Sequence, residues 1–246
     1  MKTILMGGAI WLAAHAALAG GCTAVSPAHT VALVELYTSE GCSSCPPADT
    51  FLSSRRGLRA DQAVLLSMHV DYWNNIGWKD PYSRKIFTER QRWMSDLAHT
   101  RTIYTPEFFV AGRELRNWDS RLDDAVKRIN ATPARARITI GMGQATAAGL
   151  PVQVKASGQP GASLYVALVQ SALVSKVGAG ENSGRTLHHD FVAREWVTPV
   201  LLGSDGKAEL TRMLPAGAGT GVSAFVQNTQ GEVLQALALP TCSGAL

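Results

Sequence analysis

Cys42 and Cys45 are separated only by Ser43 and Ser44, a spacing that suits thiol chemistry. Disulfide exchange needs one thiolate to attack, a second thiol close enough to resolve the mixed disulfide, and a local field that favours a negative sulfur. The spacing supplies the first two. Thr30 to Tyr37, just upstream, is β-branched and apolar with Glu35 as its one charge, and reads as a buried strand. Pro46 to Leu52, just downstream, reads as the opening of a helix. A cysteine pair between such a strand and helix meets unpaired N–H groups and the positive end of the helix dipole, which supplies the third. The same spacing is also half of a zinc site, but zinc takes four ligands. The other two cysteines, Cys22 and Cys242, are remote in sequence, and only His69 belongs to a region expected near Cys42. A zinc or copper site is therefore the weaker reading. His188 and His189, adjacent on a strand, would face opposite ways and could not share one ion. No metal and no cofactor is expected.

Four cysteines allow three pairings. A local Cys42–Cys45 bond with a long-range Cys22–Cys242 bond is the economical set, and both suit an oxidising compartment. The start of the chain reads as the matching address. Lys2 precedes an uncharged apolar run from Ile4 to Leu18, and Ala17-Leu18-Ala19 has the small-x-small form of a cleavage site. Residues 1–19 are expected to be removed as a signal peptide, giving an exported, periplasmic or secreted protein. The apolar run falls short of the roughly 20 residues that cross a bilayer, so no transmembrane segment is expected in the mature chain. Lipid attachment at Cys22, behind Ala19-Gly20-Gly21, is the alternative.

The remaining elements must hold this pair. Ala63 to Val70 reads as a second buried strand, Ser83 to Leu97 as an amphipathic helix, and Glu107 to Val110 as a strand opened by Thr105-Pro106. Glu114 to Trp118 reads as a short strand, and Ser120 to Ile129 as a helix with Lys127-Arg128 in its last turn. Between them lies an aromatic loop, Asp71 to Tyr82. Its Trp73 and Trp78 suit a substrate-binding wall or the cover of an added helix equally well. After Thr132-Pro133-Ala134 the character changes to short β-type runs between Gly, Ser and Asn turns: 136–140, 152–156, 164–170, 192–202, 222–227 and 233–239. That pattern predicts an all-β sandwich over residues 133–246. The charge excess is only +4, with no basic block, so nucleic acid is not an expected partner.

Four segments carry a resemblance: Val34 to Asp49 (VELYTSEGCSSCPPAD), His69 to Pro81 (HVDYWNNIGWKDP), Tyr104 to Gly112 (YTPEFFVAG) and Gly180 to Asp190 (GENSGRTLHHD). They are similar to a group of exported bacterial thioredoxin-like proteins that carries a domain-of-unknown-function label. The order strand, CxxC, helix, strand, helix, Thr-Pro, strand resembles the thioredoxin fold over about residues 30–132. The resemblance implies a fold class of an α/β thioredoxin-like N-terminal domain followed by the all-β domain. It also implies that Cys42 is the exposed nucleophile and Cys45 the buried resolving thiol. Pro106 would be cis opposite the pair, with Thr105 offering backbone groups to a bound peptide. Glu35 would be the buried acid that takes the Cys45 proton, one residue further from the first cysteine than in that family. Two departures stand out. Gly41 replaces the usual aromatic and is expected to leave the sulfur more open, and Pro46-Pro47 delays the helix start.

The function expected is an exported thiol-disulfide oxidoreductase, its partners being protein thiols or disulfides and a redox partner. The competing class is a binding module in which Cys42–Cys45 is static.

Overall fold

The computed structural model describes residues 21–100, 102–240 and 242. The expected signal peptide, residues 1–19 with its cleavage site, lies outside the described residues.

In chain order the described elements are β1 (Cys22–Val25), β2 (Ala32–Thr38), α1 (Pro46–Ser54), β3 (Ala63–His69), α2 (Lys85–Leu97), β4 (Glu107–Val110), β5 (Arg113–Glu114) and α3 (Trp118–Asn130). There follow β6 (Arg137–Met142), β7 (Leu150–Ser157), β8 (Ser163–Gln170), β9 (Leu173–Lys176), β10 (Thr186–His189), β11 (Val192–Leu201), β12 (Lys207–Leu214), β13 (Thr220–Gln227) and β14 (Val233–Leu239). The largest sheet has eight strands in the order β14-β13-β8-β11-β3-β2-β4-β5. A four-stranded sheet runs β1-β6-β7-β12, and β9 with β10 forms a hairpin.

This architecture corrects the expected fold class. An α/β thioredoxin-like N-terminal domain followed by an all-β sandwich would separate the two groups of strands. Instead β3 pairs with β11, parallel, through Val192 opposite Ser67, and the Ser67 N–H donates to the Phe191 carbonyl at 2.8 Å. Early and late strands thus share one sheet, and the molecule is mostly β with three α-helices among the described residues. The physical reason is the double-sided burial of β3. A strand with no polar face and a free edge must acquire another strand or a cover, and β11 provides it.

Three apolar clusters follow from this layering. Ala32, Val34 and Leu36 alternate onto the face covered by α1 and α3, with Leu52, Phe108 and Leu122. The opposite face, with Leu33, Tyr37, Leu66 and Met68, packs beneath α2 against Phe109 of the early strands and Phe225 of the late ones. The third cluster lies between the four-stranded sheet and β8, β13 and β14, and includes Ile138, Val154, Val166 and Val226. Buried polar groups cross between early and late segments as well. Gln235 on β14 accepts from the Val31 N–H at 2.8 Å and donates to the Pro27 and His29 carbonyls.

The stretch expected as a strand from Glu114 to Trp118 is instead the two-residue β5 and the start of α3. Trp118 stacks on Phe108 with ring centres 5.0 Å apart, which ties the helix start to β4. Both disulfides are present. Cys22–Cys242 joins β1 to the segment after β14, with Cα atoms 5.6 Å apart, and Cys42–Cys45 closes at a Cα separation of 5.4 Å. With its sulfur in that bond, Cys22 is unavailable for lipid attachment.

Candidate functional site

Cys45 is the N-cap of α1, and Pro46 and Pro47 fill the first two helical positions. Proline costs nothing there, because the first N–H groups of a helix have no partner inside it. Cys42 is held on a turn, its N–H donating to the Ser39 carbonyl at 3.1 Å, and the Cys45 N–H donates to the Cys42 carbonyl at 3.2 Å. Both cysteines are fully buried, while Ser43 and Ser44 are exposed.

Three other segments close around this turn. The Thr105–Pro106 peptide is cis, and the Thr105 carbonyl oxygen lies 3.7 Å from Cys42 Sγ. The Trp73 indole N–H donates to Thr105 Oγ1 at 2.7 Å. From the loop before β10, Asn182 Nδ2 donates to the carbonyls of Glu40 and Cys42 at 2.8 and 2.9 Å, and Glu181 accepts the Ser43 N–H at 2.9 Å. The Trp78 indole N–H donates to Glu40 at 2.7 Å, and its ring lies so near Gly178 that a Cβ there would come within 3.1 Å of it. Trp73 and Trp78 therefore both build the wall of the site.

Gly41 is the expectation that reverses. A Cβ at this position would sit 3.0 Å from the Trp73 Cβ, so the missing side chain lets Trp73 close over the turn. The result is a covered Cys42, not an exposed one.

Beneath the turn lies a buried ionisable cluster that the sequence reading did not assemble. His69 Nδ1 meets Asp80 at 2.7 Å, and Asp80 also accepts the N–H groups of Glu40 and Tyr82, each at 2.8 Å. His189 Nε2 lies 3.0 Å from Glu40, and the two imidazoles meet edge to face, their centres 4.9 Å apart. Burial works against charge on both partners of the first pair. Even so, mutual attraction holds His69 above its usual value and Asp80 below the usual carboxylate range. Asp49, on α1, accepts from the Thr38 hydroxyl at 3.2 Å, and burial pushes its carboxyl up against the pull of His189 and His69. On β4, burial pushes the Glu107 carboxyl up to about 7, opposed by the hydrogen bond from Gln91. Among the described residues, no group of three or more His, Cys, Asp or Glu side chains is placed to hold a metal ion. His188 is exposed and His189 buried, so they do face opposite ways.

Glu35 stands apart. Strand alternation puts it on the α2 face of β2, opposite α1, where Arg90 grips it in a two-pronged ion pair at 2.6 and 3.1 Å. Arg90 in turn lies over the rings of Tyr165, Trp196 and Phe225 and donates to Gln227.

The four segments that carried the resemblance meet in space here. Glu40, Asp49, His69, Asp80, Glu181, Asn182 and His189 all lie within them. Joint membership in these segments was the one sequence signal that could have found those residues.

Solved structures with this architecture exist. A crystal structure of a protein from Agrobacterium tumefaciens matches with a TM-score of 0.61 at 25% identity, covering 90% of this chain and 98% of that one. HBP35 of Porphyromonas gingivalis matches with a TM-score of 0.64 over 90% of this chain and 80% of that one. At 14% identity this second likeness is one of fold alone. No curated protein matches. A family model matches residues 33–227, a span that contains all four motif segments, and the chain belongs to that family, described as Protein of unknown function (DUF1223).

Proposed function

We propose that the protein is an exported thiol-disulfide oxidoreductase that exchanges Cys42–Cys45 with protein thiols or disulfides. The observation that carries this reading is the placement of the pair. Cys45 caps α1, Cys42 Sγ faces the Thr105 carbonyl at 3.7 Å, and buried ionisable groups lie behind. In exchange a substrate thiolate attacks Cys42 Sγ, the Cys42–Cys45 bond breaks, and Cys45 leaves as a thiolate that takes up a proton. A second thiol then releases the oxidised substrate and leaves a dithiol; the reverse sequence reduces a substrate disulfide. The Thr105 backbone beside Cys42 suits pairing with an extended substrate segment. Export is supported by the signal-like residues 1–19 and the two disulfides. Among the described residues no helix is long and apolar enough to cross a membrane.

The complete burial of both cysteines favours a second reading, a binding module with a static disulfide. Titration of the protein in glutathione buffers separates the two. The oxidoreductase is expected to give a reversible two-electron transition at Cys42–Cys45 with near-ultraviolet circular dichroism retained. Reduction that occurs only together with unfolding selects the static disulfide.

A further inference from the structure

Glu181, in the loop before β10, is exposed, and its carboxylate accepts the Ser43 N–H at 2.9 Å, a contact to which the exchange steps above assign no role. We infer that this carboxylate holds the pair on the electron-donating side of exchange, so that the reduced protein passes two electrons to disulfides of other proteins. The inference rests on the oxidoreductase reading and supplies its direction.

A dithiol becomes a strong oxidant when its reduced form is stabilised, and N–H donors at a helix start do this by favouring a thiolate. Around this pair those donors are missing or already used. Pro46 and Pro47 fill the first two positions of α1 and carry no N–H. The Cys45 N–H goes to the Cys42 carbonyl, and those of Ala48 and Asp49 go to the Cys45 carbonyl at 2.9 and 3.1 Å. The Cys42 N–H goes to Ser39, and the next one along, that of Ser43, goes to Glu181. Cys42 Sγ itself faces the Thr105 carbonyl oxygen at 3.7 Å, an acceptor that favours S–H over a negative sulfur. The Ser44 hydroxyl, 3.3 Å from Cys42 Sγ, can donate to the sulfur and keeps its attack possible.

Covalent geometry keeps the Ser43 nitrogen within about 4.5 Å of Cys42 Sγ. A carboxylate oxygen 2.9 Å from that nitrogen therefore lies no more than roughly 7.5 Å from the sulfur, inside the screening length of about 8 Å at physiological ionic strength. The hydrogen bonds from Ser43 hold the Glu181 carboxyl below the usual carboxylate range, so its charge is present near neutral pH. One such charge disfavours a nearby thiolate by about threefold to tenfold. The other ionisable groups around the turn are Glu40 with His189, Asp80 with His69, Asp49 on α1, and Arg185, which donates to Asn182 at 2.9 Å.

In the inferred direction Cys42 thiolate attacks a substrate disulfide and displaces one substrate sulfur as a thiolate. Cys45 thiolate then attacks Cys42 Sγ, the Cys42–Cys45 bond forms, and the second substrate sulfur leaves. Two electrons have passed to the substrate, and the two protons released by the cysteines reach its thiolates through solvent. A dithiol of the redox partner returns the electrons and protons by the reverse exchange and becomes a disulfide itself.

The test compares the full-length wild type with Glu181→Gln, whose amide oxygen can still accept the Ser43 N–H while the charge is gone. Thiolate absorbance against pH is expected to give a lower Cys42 midpoint in Glu181→Gln. In glutathione buffers above that midpoint, the equilibrium is expected to move about threefold to tenfold towards the dithiol, and high salt is expected to shrink the difference. Superposing midpoints and equilibria overturn the role of Glu181. So does an effect present in Glu181→Ala but absent in Glu181→Gln, which marks a clasp and not a charge. Reduced wild type placed in equal millimolar glutathione and glutathione disulfide is expected to end oxidised; a pair that stays reduced overturns the direction. Each of these negative results leaves the oxidoreductase reading standing. A wild-type pair that cannot be reduced in the folded protein overturns both.

Discussion

Glu35 and Asp49 show how two buried acids on neighbouring elements meet different surroundings: Asp49 takes a hydrogen bond from Thr38, Glu35 an ion pair. Glu35 faces α2 and is neutralised by Arg90, whose guanidinium is itself enclosed by aromatic rings. Removing one member of such a pair strands the other charge in the interior, at a cost of about 3–5 kcal/mol. Glu35→Gln is therefore expected to lower the unfolding free energy by about that much while leaving the pH dependence of mixed-disulfide resolution unchanged. Denaturant unfolding, combined with the rate at which Cys45 resolves a Cys42–glutathione mixed disulfide followed against pH, checks both halves; a displaced pH profile in a folded variant would return Glu35 to the exchange chemistry. The sequence reading placed the buried acid on the strand because it judged acids by distance from Cys42 along the chain. It had no means of seeing that alternation turns Glu35 to the face opposite α1. For Trp73 and Trp78 a substrate-binding wall and a structural cover were both held open, and their indoles hydrogen-bond to Thr105 and Glu40 around the cysteine turn.

At the level of elements, the loop before β10 matters most. Asn182 is wholly buried and supplies both amide hydrogens to carbonyls of the cysteine turn. Asn182→Ala leaves those two carbonyls without their donor, at a cost on the order of 1–3 kcal/mol, and loosens the clasp over Cys42. Reduction of Cys42–Cys45 by a small thiol is expected to become about tenfold faster with secondary structure intact, as read by stopped-flow tryptophan fluorescence. An unchanged rate would mean that this loop does not govern access. The elements that sequence made legible were those with continuous apolar runs, such as β2, β3, β8 and β13. β12 was missed because its residues, KAELTRML, place charged or polar side chains outward at alternate positions, so no continuous run forms. β9, only four residues long, was missed because its Leu173–Lys176 segment is too short to show a pattern, whereas the strand considered at His188-His189 is β10.

For the molecule as a whole, the eight-stranded sheet is the feature least visible in sequence. β3 and β11 meet through a single register pair, and partners so distant leave no local signature. What could be read was the pairing of Cys22 with Cys242, because only one economical connectivity existed. That bond closes a separation of 220 residues, and the chain-entropy model gives such a loop on the order of 5 kcal/mol as an upper figure. The Cys22→Ser/Cys242→Ser double variant is expected to lose up to that amount, with a steeper denaturant dependence because its unfolded chain is freed of the cross-link. Equilibrium unfolding in urea measures both, and equal stability would show that the bond adds nothing.

The same long-range bond has a consequence for oxidative folding. Cys22 has two cysteines, Cys42 and Cys45, far nearer along the chain than its mate Cys242, which is 220 residues away. In an oxidising compartment these are the competing partners of Cys22. The three-residue separation of Cys42 from Cys45 keeps those two within each other's reach in any unfolded chain, and once they are paired Cys242 is the one partner left for Cys22.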